Sequence, residues 1–374
     1  MKITKIETVQ IPERRDLLWV RIHTDEGLIG LGETYSHAEP AKTLIDQVYG
    51  PGYLLGKDPL QIEALWRAMF QSNFSGWAGA EMRAISAIDI ALWDILGQQA
   101  GLPIYQLLGG KCRDRIPIYN TSGTESHFDF LKNADEFARD LLAKGTRAMK
   151  IWPFDGFAHQ TGGHYISRQD LKKALEPVRK IREAVGDGMD IAMEFHGYWD
   201  VQCAVLIAQA LEEYEVMWLE EMVLPDNLDA YEQLSRATRL PLTISERLLT
   251  RYQFLPVMQR GIARIIMFDV EWAGGISEGK KIATMAETYH LPVAPHNYGG
   301  PVLNFASAHV AASTPNLMLL ETGRNLIPHW TNDIITAPVV IENGHLALPE
   351  GPGLGVALQE GLLRRSDLII GTTS

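Results

Sequence analysis

The chain has 374 residues, 46% of them hydrophobic and 21% charged, an ordinary globular composition that excludes disorder, collagen-like structure and coiled coil. Lys+Arg number 34 against 46 Asp+Glu, a formal net charge of -12, and no basic run offers the face a nucleic-acid partner needs. The length points to two domains, or to one large barrel with an appendage.

Cys112 and Cys203 are the only cysteines, so one disulfide could form but a disulfide framework could not. Residues 1–10 alternate and carry charge, unlike a leader with an apolar core. No apolar run reaches the ~18 residues of a spanning helix. A soluble, cytoplasmic protein with no nucleic-acid or membrane partner is expected.

Ile3, Ile6 and Val9 alternate with polar positions over residues 3–10. Residues 18–24 and 28–33 read as two further strands, joined by the turn signal Asp25-Glu26-Gly27. Helical patterns follow over 41–48 and 62–70. A longer one over 80–99 carries Ile85, Ile88, Leu92, Ile95 and Leu96 as one buried stripe. Three strands and then helices make an α+β module. Gly27, Gly30 and Gly32 lack dinucleotide-fingerprint spacing, and no helix follows directly. They read as hairpin glycines.

From residue 116 short apolar runs alternate with amphipathic helices. The runs are 116–119, 148–151, 190–193, 216–219, 242–244, 262–268, 291–294 and 317–320, with helices over 170–184, 201–213, 228–238 and 276–289 among them. Eight such units predict a (β/α)8-type barrel. What ends each strand is the stronger signal. Lys150 stands at the second, Glu194 the third, Glu220 the fourth, Glu246 the fifth, Asp269 the sixth, His296 the seventh and Glu321 the eighth. From Glu194 onward they are 23 to 27 residues apart, the length of one strand–helix unit. A single glutamate at a strand end is ordinary solvated loop chemistry. A register of ionisable groups at the carboxyl ends converges on one spot, where barrel active sites lie.

Three consecutive strand-end carboxylates repel one another if left bare. A hard divalent cation resolves this, and carboxylate oxygens suit Mg2+. Glu194, Glu220 and Glu246 are therefore the expected metal ligands. Glu221, next to Glu220, faces the other side of its strand and is assigned structural hydrogen bonding. His196, two residues after Glu194, could point inward with it or be a packed or solvated histidine. Asp269 and His296 end neighbouring strands, where the carboxylate could orient the imidazole and raise its basicity. His159 and His164 lie in a glycine-rich loop and read as solvated.

These residues carry a family resemblance over essentially the whole chain. The sequence resembles the enolase superfamily, in its mandelate racemase/muconate lactonizing enzyme type. Ala87, Asp89, Ala91, Leu92 and Trp93, with Leu107-Leu108-Gly109-Gly110 beyond, resemble the capping-domain signature. Trp218-Leu219-Glu220-Glu221 resembles the fourth-strand motif, although Met222 stands where proline is usual, and Ser245-Glu246 stands where Gly-Glu is usual. Met267-Phe268-Asp269-Val270 with Ala273-Gly274-Gly275 resembles the sixth-strand motif.

The resemblance implies an α/β fold: a modified TIM barrel, (β/α)7β, under an N-terminal α+β capping domain. The implied division is 1–115 for the cap, 116–337 for the barrel and 338–374 for a segment returning to the cap. Within that segment Asn343-Gly344 independently signals a hairpin turn. The resemblance also implies one partial reaction, removal of the proton next to a carboxylate with Mg2+ stabilising the enediolate. Many racemases and cycloisomerases of this group carry Lys-x-Lys at the second strand. Here it reads Lys150-Ile151-Trp152, which removes the second base and disfavours racemisation.

Glu194-Phe195-His196-Gly197 resembles the Asp-Phe-His-Gly pattern of galactonate dehydratase-like enzymes, with a glutamate one methylene longer as ligand. Carried over, His296 with Asp269 takes the C2 proton and His196 protonates the departing 3-OH. Glu321, in protonated form, hydrogen-bonds a carboxylate or enediolate oxygen, and Lys150 helps electrostatically. The expected enzyme is a carbon–oxygen lyase (hydro-lyase) of acid-sugar catabolism, taking an aldonate or aldarate to a 2-keto-3-deoxy sugar acid. The alternative is a cycloisomerase, epimerase or racemase using the same enediolate, with Tyr165 or Lys150 replacing the missing base. Specificity is expected from cap segments 12–17 and 73–80, with Arg14, Arg15, Asn73 and Trp77. Residues 152–167 are expected to form a loop over the barrel mouth. A homo-oligomer, dimer or octamer, is the implied assembly.

Overall fold

The computed structural model describes residues 1–73, 78–121, 128–323, 331 and 333–374. Strands β1 (Ile3–Gln10), β2 (Leu17–Thr24) and β3 (Ile29–Tyr35) form an antiparallel meander. Gly27 takes the turn between β2 and β3 with φ 84°, a conformation that suits glycine. Gly30 and Gly32 have a different role from the hairpin one expected. A Cβ on Gly32 would lie 1.9 Å from the Ala87 carbonyl oxygen, and one on Gly30 2.1 Å from that of Ala91. They let helix α3 press directly on the sheet.

The cap helices are α1 (Ala38–Leu44), continuing into a π-helical stretch (Ile45–Leu54), then α2 (Ile62–Gln71) and α3 (Ala80–Ala100). Of the 21 residues of α3, 14 are buried, well beyond the single stripe expected. The cause is that α3 is sandwiched between the cap sheet and the barrel. Asp89 accepts from Ser277 N at 3.0 Å and Ser277 Oγ at 2.6 Å, and Trp93 Nε1 donates to Ser277 Oγ at 2.9 Å. Asp94 accepts from Leu31 N at 2.9 Å and Leu354 N at 2.8 Å. The cap signature is thus joinery between cap, barrel and carboxyl-terminal segment.

After the short α4 (Ile104–Leu107), the barrel strands are β4 (Arg115–Thr121), β5 (Ala148–Ile151), β6 (Asp190–Glu194), β7 (Trp218–Glu220), β8 (Leu242–Ile244) and β9 (Ile265–Ile266). The seventh expected strand appears only as bridges, Ile266 to Val293, Asp269 to His296 and Val293 to Leu317. β10 (Leu320–Thr322) pairs in parallel with β4 and closes the ring. Inside, Tyr119 and Trp218 meet edge to face at 5.1 Å among Ala148, Ala192 and Ala294, large side chains against small ones.

Helices α5 (Phe130–Ala143), α6 (Asp155–Thr161), α7 (Arg168–Val185), α8 (Val201–Leu211), α9 (Leu228–Ala237), α10 (Thr250–Arg260), α11 (Gly275–Thr288) and α12 (Pro301–Ala312) follow the strands. α6 is an insertion in the stretch expected as a loop; the others are the seven connecting helices of a (β/α)7β barrel among the described residues. In α7, Ala174, Leu175, Val178 and Ile181 are buried, the stripe that holds it to the barrel.

β11 (Ile341–Glu342) and β12 (His345–Ala347) form the Asn-Gly hairpin, with Asn343 at φ 50° and Gly344 at φ 72°. The hairpin adds antiparallel to β4 of the barrel; β13 (Ile369–Thr373) then pairs with β1 in the cap sheet. Cys112 is exposed and Cys203 buried, and both are free. Among the described residues no helix is long and apolar enough to cross a membrane.

Candidate active site

Parallel pairing of β6 with β7 sets Glu194 beside Glu220, and Glu246 follows β8 by two residues. The three carboxylates each offer an oxygen, all within 4.8 Å of one another, and all three residues are buried. Burial, with Glu246 adding, pushes Glu194 up to about 7 against the pull of Glu220 and Lys150. Burial and Glu194 push Glu220 well above the usual range. Glu246 Oε2 is buried without a hydrogen-bond partner. Crowded, desolvated oxygens with one left unpaired fit a hard divalent cation.

Lys150 is the central cation. Its Nζ lies 2.6 Å from Glu220 Oε1, 3.0 Å from Glu321 Oε1 and 3.5 Å from Glu194 Oε2. Burial alone would lower its pKa; Glu220 and Glu321 outweigh burial and hold it well above the usual lysine range. A lysine so held favours its protonated form in the metal-free protein. Tyr165, the other substitute base, is 64% exposed.

His296 Nδ1 lies 2.6 Å from Asp269 Oδ2, and Asp269 Oδ1 accepts from Glu271 N at 2.7 Å. Both carboxylate oxygens are committed, which fixes the imidazole and leaves Nε2 facing Glu321 Oε2 at 3.7 Å. Trp272 packs on the ring at 5.2 Å. Burial would lower the His296 pKa; Glu321 and Asp269 outweigh it and raise the group to about 9.

Glu321 accepts from Asn297 N at 2.8 Å and from the Thr121 hydroxyl. Burial would raise its carboxyl, but Lys150 and His296 outweigh it and hold the group down at about 2. In the metal-free protein Lys150 and His296 thus favour the ionised form of Glu321 over the protonated form expected.

His196 follows β6 with its Nδ1 2.7 Å from Asp155 Oδ2. Glu221 lies one residue past β7, in the left-handed region at φ 43°, and pairs with Arg247. Asp155, Arg247, Trp272, Thr121 and Asn297 were not singled out in the sequence. Asn297 and Arg247 at least adjoin residues that were; Asp155 gives no local signal. His159 packs on Tyr198 at 4.6 Å, and His164 lies 3.4 Å from Asp200 at an exposed position. In the cap, Arg14 pairs with Asp16, Arg15 is exposed, and Asn73 is held by Tyr49 OH at 3.0 Å. Trp77 lies outside the described residues.

Residues 4–109 match the mandelate racemase/muconate lactonizing enzyme N-terminal domain, and residues 133–362 the enolase C-terminal domain-like family. The chain belongs to the mandelate racemase/muconate lactonizing enzyme type of the enolase superfamily. It is 33% identical over 364 residues to a D-xylonate dehydratase of Haloferax volcanii, covering 96% of this chain and 87% of that one. It is 34% identical over 375 residues to a D-galactonate dehydratase of Ralstonia nicotianae, covering 97% and 94%. A solved enolase of the mandelate racemase subgroup from Agrobacterium tumefaciens is 44% identical, with TM-score 0.93 over 100% of this chain and 99% of that one.

Proposed function

We propose that the protein is a Mg2+-dependent acid-sugar dehydratase, taking an aldonate or aldarate to its 2-keto-3-deoxy acid. The observation that carries this reading is a pair of carboxylate-anchored histidines. His196, held by Asp155, and His296, held by Asp269, sit at the third and seventh strand ends, four strands apart and so on opposite sides of an eight-stranded ring. One histidine can remove a proton while the other delivers one. The dehydratase relatives support the same reaction.

Glu194, Glu220 and Glu246 would hold the cation. When bound, it supplies Lewis-acid stabilisation of the negative charge that develops at the substrate carboxylate. His296 Nε2 takes the C2 proton, oriented by Asp269 and made more basic by Glu321. His196 gives a proton to the departing C3 hydroxyl. The resulting enol takes a solvent proton at C3 as it ketonises. Lys150 offsets the charge of the surrounding carboxylates. A homo-oligomer and the division at 1–115, 116–337 and 338–374 belong to the same reading.

The test is a screen of the Mg2+-loaded protein against a stereochemically complete set of mono- and diacid sugars, scored by 2-keto product. Formation of product names the configuration that His296 faces. Silence across the set, with metal bound, counts against dehydration.

A further inference from the structure

Regular strand geometry does not set the direction of the His196 ring, because its backbone has left the strand for the left-handed region at φ 50°. Other groups hold it. Its backbone N donates to Glu194 Oε1 at 2.7 Å, and its carbonyl accepts from Arg247 Nη2 at 3.2 Å. Its Nδ1 meets Asp155 Oδ2 at 2.7 Å. Trp152 stands edge-on to the imidazole at 6.0 Å and 78°, and Tyr198 covers it at 5.7 Å and 40°. With Nδ1 committed, Nε2 is the nitrogen left for a substrate. Asp155 Oδ1 is buried without a partner, a cost that calls for an explanation.

We propose that Asp155, with Trp152, is a positioning residue for His196 in its delivery of a proton to the leaving hydroxyl. Both come from the segment after the second strand. Trp152 occupies the position where relatives with Lys-x-Lys place a base, so the second-strand segment here supports the acid on the third. The inference rests on the dehydratase reading. In the step, the electron pair left at C2 forms the C2–C3 double bond. The C3–O bond breaks with its pair on oxygen, which takes the proton from His196 Nε2 and leaves as water. Nδ1–H stays with Asp155 throughout.

The test uses the full-length Mg2+-loaded protein and its Asp155→Ala, Asp155→Asn and Asp155→Glu variants, with D-galactonate and D-xylonate in D2O. Asp155→Ala should lower kcat for 2-keto-3-deoxy product roughly 100-fold, with little change in KM. Exchange of solvent deuterium into C2 of recovered acid should rise relative to product, because His296 still works while the leaving step stalls. Asp155→Glu should recover part of the rate. A merely structural role would lower exchange and product together and leave their ratio unchanged, which would overturn the inference alone. No product from the unaltered protein with any acid of the stereochemically complete set would overturn the dehydratase reading instead. The ring position then decides the inference: in crystals of Asp155→Ala, an imidazole displaced from its place between Trp152 and Tyr198 supports it, and an unmoved ring overturns it. Asp155→Asn keeps the shape of the residue if Asp155→Ala fails to fold.

Discussion

Asp269 holds His296 through one carboxylate oxygen at 2.6 Å while its other oxygen accepts from a backbone N–H at 2.7 Å. The carboxylate cannot swing, so the imidazole tautomer and direction are both fixed. Asp269→Asn should therefore lower kcat by roughly 100-fold to 10,000-fold. Asp269 is also one of the groups raising His296 to about 9. Its neutralisation should move the acid limb of kcat/KM to lower pH. A pH–rate profile checks both effects.

Metal binding should depend on pH in a set direction. Burial raises Glu194 from 4.5 to about 7, so the metal-free fold favours its protonated form. That contribution to stability is full below 4.5 and is lost as pH rises towards about 7. A cation needs the ionised form. Mg2+ affinity should therefore increase, and proton release per ion decrease, as pH climbs through about 7. Calorimetry in buffers of different ionisation enthalpy reads both.

Lys150 Nζ lies within 3.5 Å of three buried carboxyl groups. Lys150→Met should destabilise the metal-free protein by about 3–5 kcal/mol, the cost of breaking a buried pair. Mg2+ should narrow the gap by supplying positive charge to the same oxygens. Urea denaturation with and without Mg2+ measures this, and a metal-free variant as stable as the parent would contradict it.

Glu220 and Glu221 are adjacent in sequence but differ in role. Glu220 belongs to the carboxylate cluster, whereas Glu221 pairs with Arg247. Glu220→Gln should abolish saturable Mg2+ binding. Glu221→Gln should retain it, weakened by roughly 10-fold to 100-fold. Equilibrium titration of the two variants separates them.

The strand-end groups were legible because a β/α unit repeats at nearly constant length, so Glu194, Glu220, Glu246, Asp269, His296 and Glu321 fall in register. The period-two and 3.6 patterns revealed the strands and helices for the same reason. Asp155 was not legible: 41 residues separate it from His196, and only the folded barrel brings their strand ends together. Helix α6 was hidden by Gly156, Gly162 and Gly163; Gly162 in fact caps its end at φ 65°. The Asn-Gly turn announced the β11–β12 hairpin but not its pairing with β4, which tertiary packing decides. The downward pull on the Glu321 carboxyl was equally unreadable, since it depends on Lys150 and His296 lying close to it.

Dehydration is tested by the reaction in D2O, followed by NMR, with the Mg2+-loaded protein, His296→Asn and whichever sugar acid turns over. A 2-keto-3-deoxy acid carrying one solvent deuteron at C3 is expected, with loss of that product in the correctly folded, metal-binding His296→Asn protein. Solvent deuterium at C2 of an otherwise intact acid, with no product, would contradict dehydration and favour epimerisation or racemisation. Full activity in His296→Asn would remove His296 as the base.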